Sequence, residues 1–257
     1  MTPRLVKQML YGAIYVLVLA LIIFGIYYIW FKPAPTCFDN KQNQGETGID
    51  CGGPCQSCEI SQLKDLTKSW VEYLPVSENE ISLLAKIANP NLNFGSRSFS
   101  YRFEVIGPFG ALLKKVDGQS FIYPGEEKYL MAPALKINPT DISQVKLVIA
   151  TSTLIWQSKE ELIKPRLSSR SIKTEIAGQN VKVNGLVKNE DPLSVSRVKI
   201  FALLFDGQNK VLNASYTAVT NIQGLEEQPF TINFPKGEWI KQLDANRTEI
   251  FLAPEPK

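Results

Sequence analysis

The chain has no histidine among its 257 residues. That absence removes His-based general bases, the usual serine and cysteine triads, HExxH metal sites and most catalytic zinc shells. No GxxxxGK[ST] or GxGxxG loop occurs either, so the common phosphate cradles are missing. Cysteine is absent outside residues 37–58, where all four fall. Neither sign of charge dominates: 28 Lys and Arg against 25 Asp and Glu leave a net charge of +3. Arg4 and Lys7 supply two of those units, so the remainder is nearly neutral, with no basic cluster to meet nucleic acid. Charge is missing altogether from residues 9–31.

That uncharged run, rich in Leu, Ile, Val, Tyr and Phe, organises the chain. A helix of this length spans about 34 Å, enough for a hydrocarbon core of ~30 Å with some tilt. Arg4 and Lys7 lie before it, and after Lys32 nothing basic follows until Lys41. The positive-inside rule therefore keeps residues 1–8 in the cytoplasm and sends everything after the span outside the cell membrane. Tyr27, Tyr28 and Trp30 at the outgoing end, and Tyr11 and Tyr15 near the incoming one, suit the headgroup layers. The run exceeds a signal-peptide h-region and no small-x-small site follows, so an uncleaved single-pass anchor is expected, with the lipid bilayer as partner of residues 9–31. Ala34-Pro35-Thr36-Cys37 does not fit a lipid-attachment signal.

Residues 32–60 form a Cys-rich segment beside the membrane. An even number of cysteines outside the cytoplasm reads as two disulfides, and four cysteines, Cys37, Cys51, Cys55 and Cys58, allow three pairings. Closing a loop of about 14 residues, as between Cys37 and Cys51, stabilises a piece too short for an apolar core by ~3 kcal/mol. A four-thiolate zinc site is the competing use of this spacing, and an oxidising exterior disfavours it. Asp39, Asn43, Glu46 and Asp50 are hard oxygen ligands of the kind calcium takes, with Gly45 and Gly48 allowing sharp turns; the alternative is Asx side chains capping a polar loop. No other cofactor is expected. The run Cys37…Asn43…Glu46-Thr47…Asp50-Cys51-Gly52-Gly53…Cys55…Cys58 resembles a short Cys-rich module of predicted surface and membrane proteins in bacteria and some eukaryotes. The resemblance implies a surface location and a cross-linked fold, and Asn40 stands where that module often has Gly.

Beyond residue 62 short runs of Val, Ile, Phe, Tyr and Thr alternate with Gly, Pro, Asn and Asp clusters, the all-β pattern. Strands are predicted at 69–76, 80–88, 98–105, 112–116, 119–122, 128–132 and 145–153, and again at 171–175, 180–188, 196–205, 211–218, 227–234 and 248–252. Phe99, Tyr101, Phe103 and Val105 alternate with Ser100, Arg102 and Glu104, so that sheet has one wet face. Landmarks recur at an offset of about 100 residues. Asn89-Pro90-Asn91 answers Asn189-Glu190-Asp191, Gly110 answers Gly207, and Pro124-Gly125-Glu126 answers Gln223-Gly224-Leu225-Glu226. Two tandem Ig-like β-sandwiches, residues 61–157 and 158–257, are therefore expected after one transmembrane α-helix and a small disulfide-rich module. Asn184-Gly-Leu-Val-Lys-Asn189, the strand 198–205, Asp206-Gly207 and Gly224-Leu225 look like FxLYD-type and related immunoglobulin or fibronectin type III-like domains. That resemblance implies binding or scaffolding, an analogy at the level of fold. The charged stretch 157–165 reads as a linker.

Among possible sites, Trp156, Trp239, Tyr123 and Tyr129 read as core aromatics. Phe109 and Gly110, in a Gly- and Pro-bearing loop between strands, are the preferred binding candidates. The glutamate pairs 126–127, 160–161 and 226–227 read as solvated turn charges, and no catalytic constellation is visible. Asn213 and Asn246 begin sequons that matter only where the source glycosylates them. The expected function is non-enzymatic presentation of two sandwiches at the cell surface for protein–protein contact or envelope scaffolding, with a protein partner there. The alternative is a calcium-stabilised receptor or adhesin binding an external ligand.

Overall fold

The computed structural model of the chain describes residues 3–28, 35–55 and 57–256. Trp30, Phe31 and the residues 32–34 that follow lie outside the described residues. The chain divides into two compact units, Met1–Gln62 and Leu63–Lys257.

In the first unit α1 (Pro3–Ile26) starts on a proline, tolerated there because the first helical N–H has no partner to lose. Its stretch Lys7–Ile26 is 20 residues long, about 30 Å, and none of it is buried. Leu10, Val16, Leu21 and Phe24 project from it into the surroundings. Length and composition suit a single-pass anchor and a signal sequence alike. The described residues of the Cys-rich segment that follows form a bridge between Gly48 and Cys51 and a series of turns, ending at a short 3-10 helix, Ile60–Gln62.

The second unit is mostly β and contains two sandwiches. The first is built from β1 (Thr67–Ser77), β2 (Glu80–Ala88), β3 (Phe94–Ile106), β4 (Leu112–Ile122), β5 (Glu127–Leu135), β6 (Gln144–Ala150) and β7 (Trp156–Ser158). The second comprises β8 (Leu167–Ala177), β9 (Asn180–Asn189), β10 (Val195–Asp206), β11 (Val211–Ile222), β12 (Glu227–Phe234) and β13 (Leu243–Pro254). The sheets run β1-β2-β5 and β4-β3-β6 in the first and β8-β9-β12 and β11-β10-β13 in the second, all antiparallel, with β7 added beside the start of β3. Strand for strand, β1–β6 and β8–β13 follow one Ig-like plan. Pro75, Pro133 and Pro229 fall on β1, β5 and β12, all edge strands, where a missing N–H costs no ladder bond.

The repeat extends to atoms. Asn89 Nδ2 donates to the Phe94 and Tyr123 carbonyls at 2.7 and 3.0 Å, and Asn189 Nδ2 donates to those of Leu193 and Gln223 at 2.8 and 3.0 Å. The Asn89 and Asn189 side-chain oxygens accept the main-chain N–H of Asn91 and Asp191. Glu126 caps the Tyr123 N–H and Glu226 caps that of Gln223. Leu225, at φ 62°, takes the place of Gly125 at φ 63°, so the turn keeps its left-handed residue even where glycine is lost. Each corner thus ties the β2–β3 and β4–β5 connections, or the β9–β10 and β11–β12 connections, through one buried amide.

Each sandwich has its own core. Ile81, Leu83, Ile87, Phe99, Phe103 and Val105 fill the first, while Val183, Val198, Ile200, Leu204 and Ile232 fill the second. A third apolar layer lies between them: Leu74, Leu84 and Tyr129 from the first sandwich meet Phe201, Leu203 and Ala214 from the second. Tyr129 and Phe251 cross edge to face with centroids 5.5 Å apart, and Tyr123 Oη donates to the Pro254 carbonyl at 3.2 Å. The sheet β1-β2-β5 therefore packs on β11-β10-β13, giving four stacked layers, and both β2 and β10 are buried on both faces. The 157–165 stretch is not a free tether. Its Leu162 is buried near Gly95 and Pro124, and Lys164 pairs with the Glu126 carboxylate at 2.7 Å.

Candidate functional site

The disulfides are Cys37–Cys55 and Cys51–Cys58, not the Cys37–Cys51 closure taken as an example from the sequence. The four oxygen-bearing residues of the same segment come together, but largely onto main-chain donors. Asp50 accepts the N–H groups of Asp39 and Asn40, at 2.9 Å each. Glu46 Oε2 accepts those of Asn43 and Asp50, both at 3.2 Å. Asp39 takes the Asn43 side-chain amide at 2.8 Å and the Lys41 N–H at 3.0 Å; the Asn43 bond leads in holding its pKa below the usual carboxylate value. These are the bonds of capped turns, in which a carboxylate neutralises otherwise unpaired N–H groups. Glu46 Oε1 and the sulfurs of Cys37 and Cys55 lie within 4.8 Å of one another. The two sulfurs are bonded to each other, so the trio offers a disulfide and one carboxylate, not a thiolate pair.

The preferred binding loop is a different kind of feature. Phe109 sits at the tip between β3 and β4 with its ring wholly in solvent, at φ 58° and ψ 18°. Gly110 follows at φ 79°. A phenylalanine in left-handed backbone costs about 1–3 kcal/mol, a strain that persists only where the surroundings impose it. Here the Gly107 N–H bonds to the Ala111 carbonyl at 2.8 Å and the Ala111 N–H to Pro108 at 3.2 Å, closing the tip. Leu112 and Leu113 on the same hairpin are also exposed. The geometry therefore presents an aromatic ring with apolar neighbours on a fixed turn.

The remaining candidates sort as packing groups. Trp239 is buried in the second core, Trp156 packs against the first, Tyr123 is buried at a corner, and Tyr129 lies between the sandwiches. Burial raises the Tyr123 and Tyr129 pKa values above the ordinary phenol value. Of the glutamate pairs, Glu126 is not a solvated charge: its side chain is 1% exposed and satisfied by Lys164 and the Tyr123 N–H. Glu127 turns outward to Lys86 at 2.7 Å, so neighbouring carboxylates point apart instead of converging. Asn213 is fully buried, which removes its sequon from the folded surface, while Asn246 is exposed.

Sequence reasoning missed Lys128. It occupies the inward parity of β5 with Leu130 and Ala132, and alternation alone would have found a cation on a core face. The residue is 3% exposed and Nζ has no hydrogen-bond partner. It lies 3.0 Å over the Phe121 ring centroid. Burying an ammonium without an acceptor costs several kcal/mol, of which a desolvated cation–π contact returns about 2. Burial, the largest influence, and the charges of Lys199 and Lys164 push its pKa down to about 7, against an opposing pull from Glu126 and Glu255. Lys128 lines a slot of about 430 Å³ between the sandwiches.

Among known proteins, no family model matches the chain and no curated protein is significantly similar to it. Of the resemblances read from the sequence, the structure has the coarser features, a disulfide-bonded Cys-rich segment and β-sandwich sheets, and the comparisons give no support to a particular family.

Proposed function

We propose that the chain is a non-enzymatic, single-pass membrane protein whose N-terminus remains in the cytoplasm and whose sandwich unit works outside, docking a protein partner through the β3–β4 tip. Arg4 and Lys7 before the span and the two disulfides after it support that orientation, because thiols pair where reductants are scarce. The observation that carries the docking role is Phe109, a fully exposed aromatic kept in a strained conformation. Exposed aromatics on rigid turns anchor interfaces at low entropic cost, and strain of this kind is retained where function uses it.

The test replaces Phe109 with a photo-crosslinking amino acid in the full chain in its native membrane, and does the same at Lys182, exposed on the opposite sandwich. A discrete adduct from position 109 and none from 182 is expected. Identical adducts from both positions, or none from 109, would count against the docking role. Phe109→Gly suits the positive φ and is expected to hold stability within about 1 kcal/mol while abolishing partner capture. An impermeant amine reagent should label the sandwich unit on intact cells; protection until lysis would reverse the orientation.

A further inference from the structure

The slot beside Lys128 lies apart from the β3–β4 tip, between the first sandwich and β10 and β11 of the second. Arg97, Tyr101, Lys128, Lys199, Tyr216 and Glu255 line it. Basic side chains and a carboxylate thus share the slot. Glu255 is already shared, at 3.7 Å each, between Arg197 and Lys199. Lys128 is the group with most to gain from a ligand: its ammonium is buried and has no hydrogen-bond acceptor, and Glu126 and Glu255 attract it only across a distance at which Lys199 and Lys164 repel it.

We propose that this slot is a binding site for a small oxyanion, a carboxylate or a phosphate, whose oxygen accepts from Lys128 Nζ with Lys199 beside it. The anion supplies the hydrogen-bond acceptor that the Phe121 ring replaces only in part. Because the slot joins both sandwiches, a bound anion would also hold them together. The inference does not rest on the docking role of Phe109, and either can fail alone.

The groups facing Lys128 are Glu126 from the turn before β5, Lys164 from the connection to β8, Lys199 on β10 and Glu255 after β13. With its proton half lost near pH 7, Lys128 binds an anion well below that pH and poorly above it. The experiment is calorimetric titration of the detergent-solubilised full chain with sodium succinate in one arm and inorganic phosphate in the other. One saturable site is expected in at least one arm, and the arm that binds identifies the headgroup. Between about pH 6 and about pH 8 its affinity should fall about tenfold. Lys128→Met should weaken binding at least about tenfold, Lys199→Gln severalfold, and Lys146→Gln, on the outer face of β6, not at all. Near-ultraviolet circular dichroism checks that each variant is folded, and Lys199→Gln serves if Lys128→Met is not. No saturable heat with either anion overturns the proposal. So does binding by folded Lys128→Met or Lys199→Gln equal to that of the native chain.

Discussion

Asn89 and Asn189 show how single residues decide the connections. Each amide donates to two carbonyls, one in its own connection and one in a distant connection, and its oxygen caps the N–H two residues on, so replacing either with alanine strands two acceptors. Asn89→Ala and Asn189→Ala are each expected to lower stability by about 2–4 kcal/mol in urea unfolding, by similar amounts because the corners match. A loss under about 0.5 kcal/mol at either position would show that water replaces the amide. Glu126 and Glu226 belong to the same device. From the sequence they looked like turn charges, since nothing local shows that a carboxylate folds back onto the N–H three residues earlier.

Among the elements, the strands were the most legible. β2 and β12 coincide with the spans expected from alternation, and the edge-strand prolines agree with their neighbours. β4 was read as two strands broken at Asp117-Gly118, yet it runs unbroken from Leu112 to Ile122. Gly118 is there because a Cβ would stand 2.4 Å from the Tyr101 ring, so the glycine marks close packing and not a turn. β7 was missed because three residues carry no readable period. The Cys-rich segment stands on its bridges. Their loops, with separations of 18 and 7 residues, correspond to about 3 and about 2 kcal/mol taken singly in the chain-entropy model. The sandwich unit contains no cysteine. Reduction under native conditions should therefore abolish hydrogen-exchange protection within residues 37–58 and leave the melting temperature of the sandwich unit unchanged. A fall of several degrees in that temperature would show that the two units depend on each other.

For the whole sandwich unit the decisive feature is the apolar layer between the two halves. Leu203 lies in it, fully buried. Leu203→Ala is expected to cost about 2–5 kcal/mol and to lower the unfolding midpoint of both sandwiches together, read by calorimetry as one transition in the native chain and in the variant. Two separated transitions in the native chain would mean that the halves fold as independent beads. The outer faces of the stack differ from the inner ones: Arg102 pairs with Asp117 on one, and Lys182 and Lys188 lie on the other.

Composition and period alone determined the apolar helix, the all-β character of the rest, the confinement of cysteine to one segment and the internal repeat. Those properties are written in residues near one another or at a regular spacing. The pairing of the cysteines, the second buried face of β2 and β10 and the slot that Lys128 lines between two sandwiches were decided only in three dimensions. Each depends on which surface from far along the chain comes to cover a side chain, and burial by a distant partner leaves no periodic trace in the strand that is buried.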